Sequence, residues 1–364
     1  MSNNAPHVKR CFFGCNSAGG FRTFFDFLPR LDNARIVIIK GGPGSGKSTF
    51  IGSVGKAFAD RGYDLEYQHC SLDPQSYDAV VIPDIRAVVV AATGHHVFDP
   101  RNPGAVDEIL NLGEYWNAEA IRPHRHEIIA INKASDRKFR KVYRLLKAAR
   151  LLLGNVEEVY ADGRDPREID KVVKSVVAFL PEAEIPEEYG AARHAFISSI
   201  TPSGEIHNVN TMLRPGTQVV AIQGEPGSGR SLLLEKIGEE ARLRGFDVEF
   251  FHRPLDPDLV DHLYLPLPDL LVTTQLEALS GVRPLAFFDL GEHCAGALGA
   301  HSVDLVEDKA RYAGMIREAV AVLADAKTTH EQLERYYIPN MDFIGVDKRL
   351  RRTVDALLQH AATA

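Results

Sequence analysis

Cysteine is scarce in this sequence: four residues, at positions 11, 15, 70 and 294, among 364. Thiols so scattered do not make a disulfide framework and fit a reducing compartment. Cys11 and Cys15 stand four apart, but no second Cys/His pair of metal-finger spacing accompanies them, which speaks against a zinc site. No apolar run approaches the roughly 20 residues needed to cross a bilayer. The opening MSNNAPHVKRCFFGC lacks the long apolar core of a signal peptide. The expectation is a cytoplasmic protein with no membrane partner. Positive charge is also short: 42 Lys and Arg stand against 49 Asp and Glu, a formal net charge of −7. That balance argues against a large nucleic-acid footprint and leaves room only for a local basic patch. The remaining composition, 45% hydrophobic and 25% charged, is that of globular domains, with length enough for two or three.

What the chain has is repetition. With an offset of 183, residues 36–83 match residues 219–266 at 19 of 48 positions without a gap. Unrelated chains of ordinary composition match at about one position in fifteen. Shared residues outside the glycine-rich stretch include Gly62/Gly245, Asp64/Asp247, Glu66/Glu249, His69/His252, Asp73/Asp256 and Asp78/Asp261. Further along, NLGEYW at Asn111 pairs with DLGEHC at Asp289, Tyr160 with Tyr337 and Asp170 with Asp347. Two copies of one unit are expected, at 8–182 and 192–362, joined by the acidic, proline-bearing linker 183–191. In each copy an apolar strand leads into a glycine loop and a helix, then further strands, then helices. This order predicts an α/β fold: two tandem P-loop NTPase domains from an internal duplication, each a parallel sheet flanked by helices with a C-terminal helical appendage.

Gly41-x4-Gly46-Lys47-Ser48 satisfies the P-loop pattern, and it stands between the strand RIVIIK and a helix expected from Ser48 to about Arg61. Glycines free the backbone N–H groups to turn inward around phosphate oxygens, and the helix N-terminus adds partial positive charge. Gly42, Pro43, Gly44, Ser45, Gly46, Lys47, Ser48 and Thr49 are therefore the expected ATP-binding residues. Lys47 should reach the β- and γ-phosphates and Ser48 should bind Mg²⁺. The metal also wants an acid at a neighbouring strand end, where the run VVVAAT offers only Ala92 and Thr93. Asp73, directly after a strand, is the preferred candidate for that role and for catalysis, with Asp84 behind it; an Asx turn before Pro74 is the structural alternative.

The second loop, Gly224-x4-Gly229-Arg230-Ser231, keeps every feature but the lysine. Gly227, Ser228, Gly229, Arg230 and Ser231 are candidates for a second phosphate contact, with Arg230 as a forked clamp in place of a compact ammonium. Other features belong to the first copy alone. These are His95-His96, the Asp107-Glu108 pair and a helix over 137–150 with seven basic residues. Asp107 or Glu108 would orient an attacking water or acceptor hydroxyl, or else supply negative charge at a helix start. Arg140, Arg144 and Lys147 lie on one helix face and would close over a γ-phosphate, or else form a solvated face.

The segments GGPGSGKST, YDLEYQHCSLDP, DAVVIPD, HHVFDPRNPGAVDEILNLGEYWN and RLLKAAR together resemble a bacterial family of tandem P-loop proteins described as ATPases or nucleotide kinases without a settled substrate. The resemblance covers nearly the full chain and implies a P-loop NTPase. The family commonly carries D-G-T where Ala92-Thr93 stands here. Three classes of function follow. One is a Mg²⁺-dependent ATPase active at the first loop, with the second loop supporting or regulating it. Another is a nucleotide or small-molecule kinase with an unidentified acceptor. The third is a nucleotide-responsive binding module, with a protein partner or with nucleic acid along the 137–150 helix.

Overall fold

The computed structural model describes residues 5–25, 34–94, 99–182, 186–291 and 298–362. The first half contains β1 (Val8–Cys11), β2 (Gly14–Ser17), β3 (Gly20–Thr23), β4 (Arg35–Lys40), α1 (Lys47–Ala59), β5 (Leu65–His69), β6 (Tyr77–Ile82), β7 (Ala87–Ala91), β8 (Asp107–Asn111), α2 (Ala118–Ile121), α3 (Arg125–Asp162) and α4 (Pro166–Val177). The second half contains β9 (Ala192–Ala195), β10 (Ser198–Thr201), β11 (Gly204–His207), β12 (Gln218–Gln223), α5 (Arg230–Leu243), β13 (Val248–His252), β14 (Val260–Leu265), β15 (Leu270–Thr273), β16 (Ala286–Asp289), α6 (Leu298–Tyr337) and α7 (Phe343–Ala361). Among the described residues no helix is long and apolar enough to cross a membrane.

Each half builds a six-stranded sheet, in the orders β1-β5-β6-β7-β4-β8 and β9-β13-β14-β15-β12-β16. The sheets are mixed, which corrects the expectation of parallel ones. β6 runs antiparallel to β5 and β7, and β14 does the same between β13 and β15. The reason is loop length. A parallel return needs a crossover of a dozen or more residues, and only residues 70–76 separate β5 from β6. The reversal sends Asp84, just after β6, to the edge of the sheet remote from the glycine loop. It brings the start of β6 to the loop's edge instead.

The halves meet edge to edge. Phe12 and Phe196 exchange backbone hydrogen bonds of 2.8 and 3.3 Å. Beside them lies a cluster of four charges, buried Lys9 and Glu66 from one half and half-buried Arg193 and Glu249 from the other. Lys9 reaches Glu66 at 3.0 Å and also bonds Glu249, while Arg193 bonds Glu66 at 2.7 Å and Glu249 at 2.9 Å. Opposite charges shared across the seam compensate the desolvation of each.

The helical appendages cross over. α3 and α6 run antiparallel along each other: Lys138 pairs with Asp325 at 2.6 Å, Lys141 with Glu318 at 3.0 Å and Asn155 with Asp308 at 2.9 Å. Phe139, Val142 and Leu146 pack there against Ala319, Leu323 and Ala326. After α3 the chain delivers α4 to the second sheet, where Ile169, Val173 and Val176 join the core with Leu233 and Ile237 of α5. In the same way Val346 and Leu357 of α7 join the first core with Phe50, Ile51 and Val54 of α1. The boundaries 8–182 and 192–362 divide the sequence into like units, but each packed unit takes its outer helices from the other.

Candidate functional site

β4 is a buried apolar strand, and the chain turns sharply where it ends. Gly44 and Gly46 take φ of 65° and 87°, a left-handed conformation that glycine adopts without Cβ strain, and α1 starts at the next residue, Lys47. Ser45 is fully buried and its hydroxyl donates to the Gly42 carbonyl at 2.8 Å, fixing the loop. The Lys47 ammonium folds back and donates to the carbonyls of Gly41 at 3.0 Å and Gly42 at 2.7 Å. Burial lowers its pKa to about 8, against the opposing pull of Asp78. Ser48 Oγ accepts the backbone N–H of Tyr77 at 2.8 Å and so ties the loop to the start of β6.

The loop opens on a cavity of about 1110 Å³. Gly42, Pro43, Gly44, Ser45, Gly46, Lys47, Ser48, Thr49 and Asp73 all line it. Asp73 is committed on both oxygens: Oδ1 accepts from Lys327 at 2.8 Å and Oδ2 from Ser76 at 2.6 Å. Burial alone would raise its pKa, but the Lys327 and Ser76 bonds outweigh that and hold it below the usual range. α6, the turn after it and the start of α7 form the opposite wall, with Glu334, Ile338 and Phe343 beside the loop. A Cβ on Gly44 would come within 2.7 Å of Ile338, so the second half braces the first half's loop from outside.

Other expected site residues lie elsewhere. β8 pairs in parallel with β4, and Asp107 stands opposite Ile36, at the start of that strand and remote from the loop. Asp107 and Glu108 begin a strand rather than precede a helix. Asp107 accepts the backbone N–H groups of Arg101 and Asn102 at 2.8 and 2.6 Å; Glu108 is held between Arg35 at 2.6 Å and Arg349 at 2.5 Å. Both serve structure. Arg140 and Arg144 are exposed on α3, and neither lines the cavity. Lys138 and Lys141 pair with α6, and Arg150 reaches Asp256 at 2.5 Å. The basic stretch is thus partly a helix seam and partly a solvated face. His95 and His96 lie outside the described residues.

Several cavity residues were not among the expectations, Asp78, Lys327 and Glu334 among them. Asp78, buried at the start of β6, faces the loop because that strand is reversed. Its recurrence as Asp261 was the available signal. Lys327 and Glu334 arrive from the second half, and only their correspondence with Arg150 and Glu157 hinted at them.

The second loop repeats the backbone but not the space. Gly227 and Gly229 take φ of 91° and 100°, α5 begins at Arg230, and Ser231 Oγ accepts the Val260 N–H at 2.7 Å, as Ser48 does from Tyr77. A Cβ on Gly227 would fall 2.1 Å from the Glu157 carbonyl of α3, so that helix backbone presses on the loop. Where the first half has Cys70, the second has Arg253, which bonds Asp261 at 3.1 and 3.0 Å and Glu157 at 3.2 Å. Arg150 adds bonds to Glu157 and Asp256, and Lys309 one to Glu225 at 3.0 Å. Arg230, half-buried at the start of α5, has its pKa lowered by desolvation against the pull of Asp261.

Magnesium takes oxygen donors and usually binds through one or two protein groups plus phosphates and water. The Ser48 hydroxyl with the Asp78 carboxylate fits that pattern; Asp73, with both oxygens engaged, fits it less well. Among the described residues no group of three or more His, Cys, Asp or Glu side chains forms a ready-made metal site. No protein-family model, curated protein or solved structure matches the chain.

Proposed function

We propose that the protein is a P-loop NTPase that binds Mg·ATP at the first glycine loop and cleaves or transfers the γ-phosphate there. The supporting observation is the combination of Lys47 at the start of α1, two left-handed glycines and a cavity that this loop lines along its whole length. Loop N–H groups and the helix end would hold the phosphates. Lys47, already positioned over the loop, would exchange its two carbonyl partners for phosphate oxygens. Ser48 and Asp78 would hold Mg²⁺, which neutralises charge on the β- and γ-phosphates. Lys327 supplies the cation that the sequence pattern had placed at Arg140 and Arg144. The second loop, its space filled by the Arg253–Asp261–Glu157 cage, acts as scaffold for the exchanged helices. ATP is the nucleotide proposed as the prevalent triphosphate, since no residue pattern here specifies guanine.

Mg²⁺-dependent ADP release from the purified protein, beside Lys47→Ala and Arg230→Ala, tests the reading. Turnover should vanish with Lys47→Ala and persist with Arg230→Ala. Equal turnover in all three proteins would end it.

A second reading, transfer to a small-molecule acceptor, is favoured by the size of the cavity. Ligand pockets commonly run to about 300–1,000 Å³, so this one lies at the upper end. A nucleic-acid role is disfavoured by the ion pairs that tie Lys138 and Lys141 to α6.

A further inference from the structure

The two halves share one scaffold, so a comparison of corresponding positions around their loops isolates what one half keeps open. At Gly42, Cys70, Ser71, Asn132 and Ser135 the first half has small or uncharged residues. At the matching positions the second half has Glu225, Arg253, Pro254, Lys309 and Tyr312. There Arg253 pairs with Asp261 and Glu157, and Lys309 with Glu225. The first half instead keeps a cavity that extends from the loop to α3 and α6.

Two hydroxyls on that wall await a partner. Ser71 is 2% and Ser135 6% exposed, both line the cavity, and neither side chain hydrogen-bonds another described residue. Both hydroxyls open onto the cavity, where a polar ligand would hydrogen-bond them in place of water. The charge on this wall is also one-sided. Asp136, Glu331 and Glu334 line it beside His330, no arginine among the described residues does, and the Lys327 ammonium pairs with Asp73 at 2.8 Å and Glu331 at 3.7 Å.

We infer that the cavity holds a second ligand beside the nucleotide, a small cationic molecule bearing hydroxyl groups, bound by Ser71, Ser135 and Asp136. It rests on the nucleotide reading only in naming the neighbour. The acidic wall disfavours an anionic second ligand such as a nucleoside monophosphate, which would call for arginine.

The test uses three small probes of graded charge: protonated tris(hydroxymethyl)aminomethane, glycerol and glycerol 3-phosphate. Binding of each to the full chain is measured by ligand-detected NMR, with and without Mg·AMP-PNP. AMP-PNP binding is titrated separately, so failure of the nucleotide reading is seen on its own. The cationic probe should bind most tightly, at least fivefold above glycerol, and glycerol 3-phosphate least. Asp136→Lys, at the exposed rim where folding is not at stake, should reverse the order of the charged probes. Ser135→Tyr, which installs the second half's residue, should abolish binding of the cationic probe, and Ser135→Ala should weaken it if the larger variant fails to fold. Preference for the anionic probe, no preference among the three, or an unchanged order in Asp136→Lys would each overturn the inference.

Discussion

Lys327 of α6 donates to Asp73 of the first half at 2.8 Å across 254 residues of sequence, and Arg150 of α3 makes the corresponding bond to Asp256 of the second half at 2.5 Å. The exchanged helices are therefore latched in the same way on both sides. On the first side the latch borders an open cavity.

Lys327→Met keeps the side chain's length and removes its charge. The pair is partly exposed, with 32% and 36% of the two side chains open to solvent, so little stability should be lost. Turnover is expected to fall by about ten- to a hundredfold, the effect of losing a charge-assisted contact of about 1.5–3 kcal/mol. Single-turnover kinetics beside a thermal melt checks this; a large drop in melting temperature with unchanged rate would make Lys327 purely structural.

Nucleotide affinity should depend on pH through Lys47. Its pKa of about 8 in the free protein means the ammonium is intact below that pH and is lost as pH rises through it. Phosphate favours the charged form, so binding should take up a proton near pH 8. The dissociation constant should rise up to tenfold per pH unit above it. Calorimetric titrations between pH 6.5 and 9.5 measure this, and Lys47→Arg, which stays charged, should flatten the profile.

Glu108→Gln, Arg140→Ala and Arg144→Ala are expected to leave turnover within about twofold, since none of these side chains lines the cavity. Glu108→Gln loses two partly exposed ion pairs, to Arg35 and Arg349, and should cost about 1 kcal/mol in urea unfolding.

The four-charge seam should govern stability in acid. Burial alone would raise the pKa of Glu66, but Arg193 and Lys9 outweigh it and hold the carboxylate well below its ordinary 4.5. A depressed acid contributes stability above its unfolded pKa, and that contribution is lost as pH falls below about 4.5 toward the folded value. Glu66→Gln leaves Glu249 alone to balance Lys9 and Arg193 and should cost about 3–5 kcal/mol at pH 7, read from denaturant melts.

Local signals were legible in the sequence and non-local ones were not. The strand-loop-helix around Lys47 is encoded within 25 residues, by an apolar run and by glycines whose backbone angles few other residues adopt. The reversal of β6 was also legible, from the seven residues before it, but strand alternation alone suggested a parallel sheet. Asp107 and Glu108 misled because an acidic pair before apolar residues reads equally as a helix start or as a strand. Lys327 and Glu334 could not be assigned to the first loop from sequence, because nothing local records which core an amphipathic helix covers. The repeat hides the exchange further: α4 and α7 match each other, so each fits either core.

The central claim is that one loop of the two binds nucleotide. Calorimetric titration of Mg·AMP-PNP into the wild-type protein, Lys47→Ala and Arg230→Ala tests it most directly. The account expects one nucleotide per chain, lost in Lys47→Ala and retained in Arg230→Ala. Two nucleotides per chain, or binding that survives Lys47→Ala and disappears with Arg230→Ala, would contradict it.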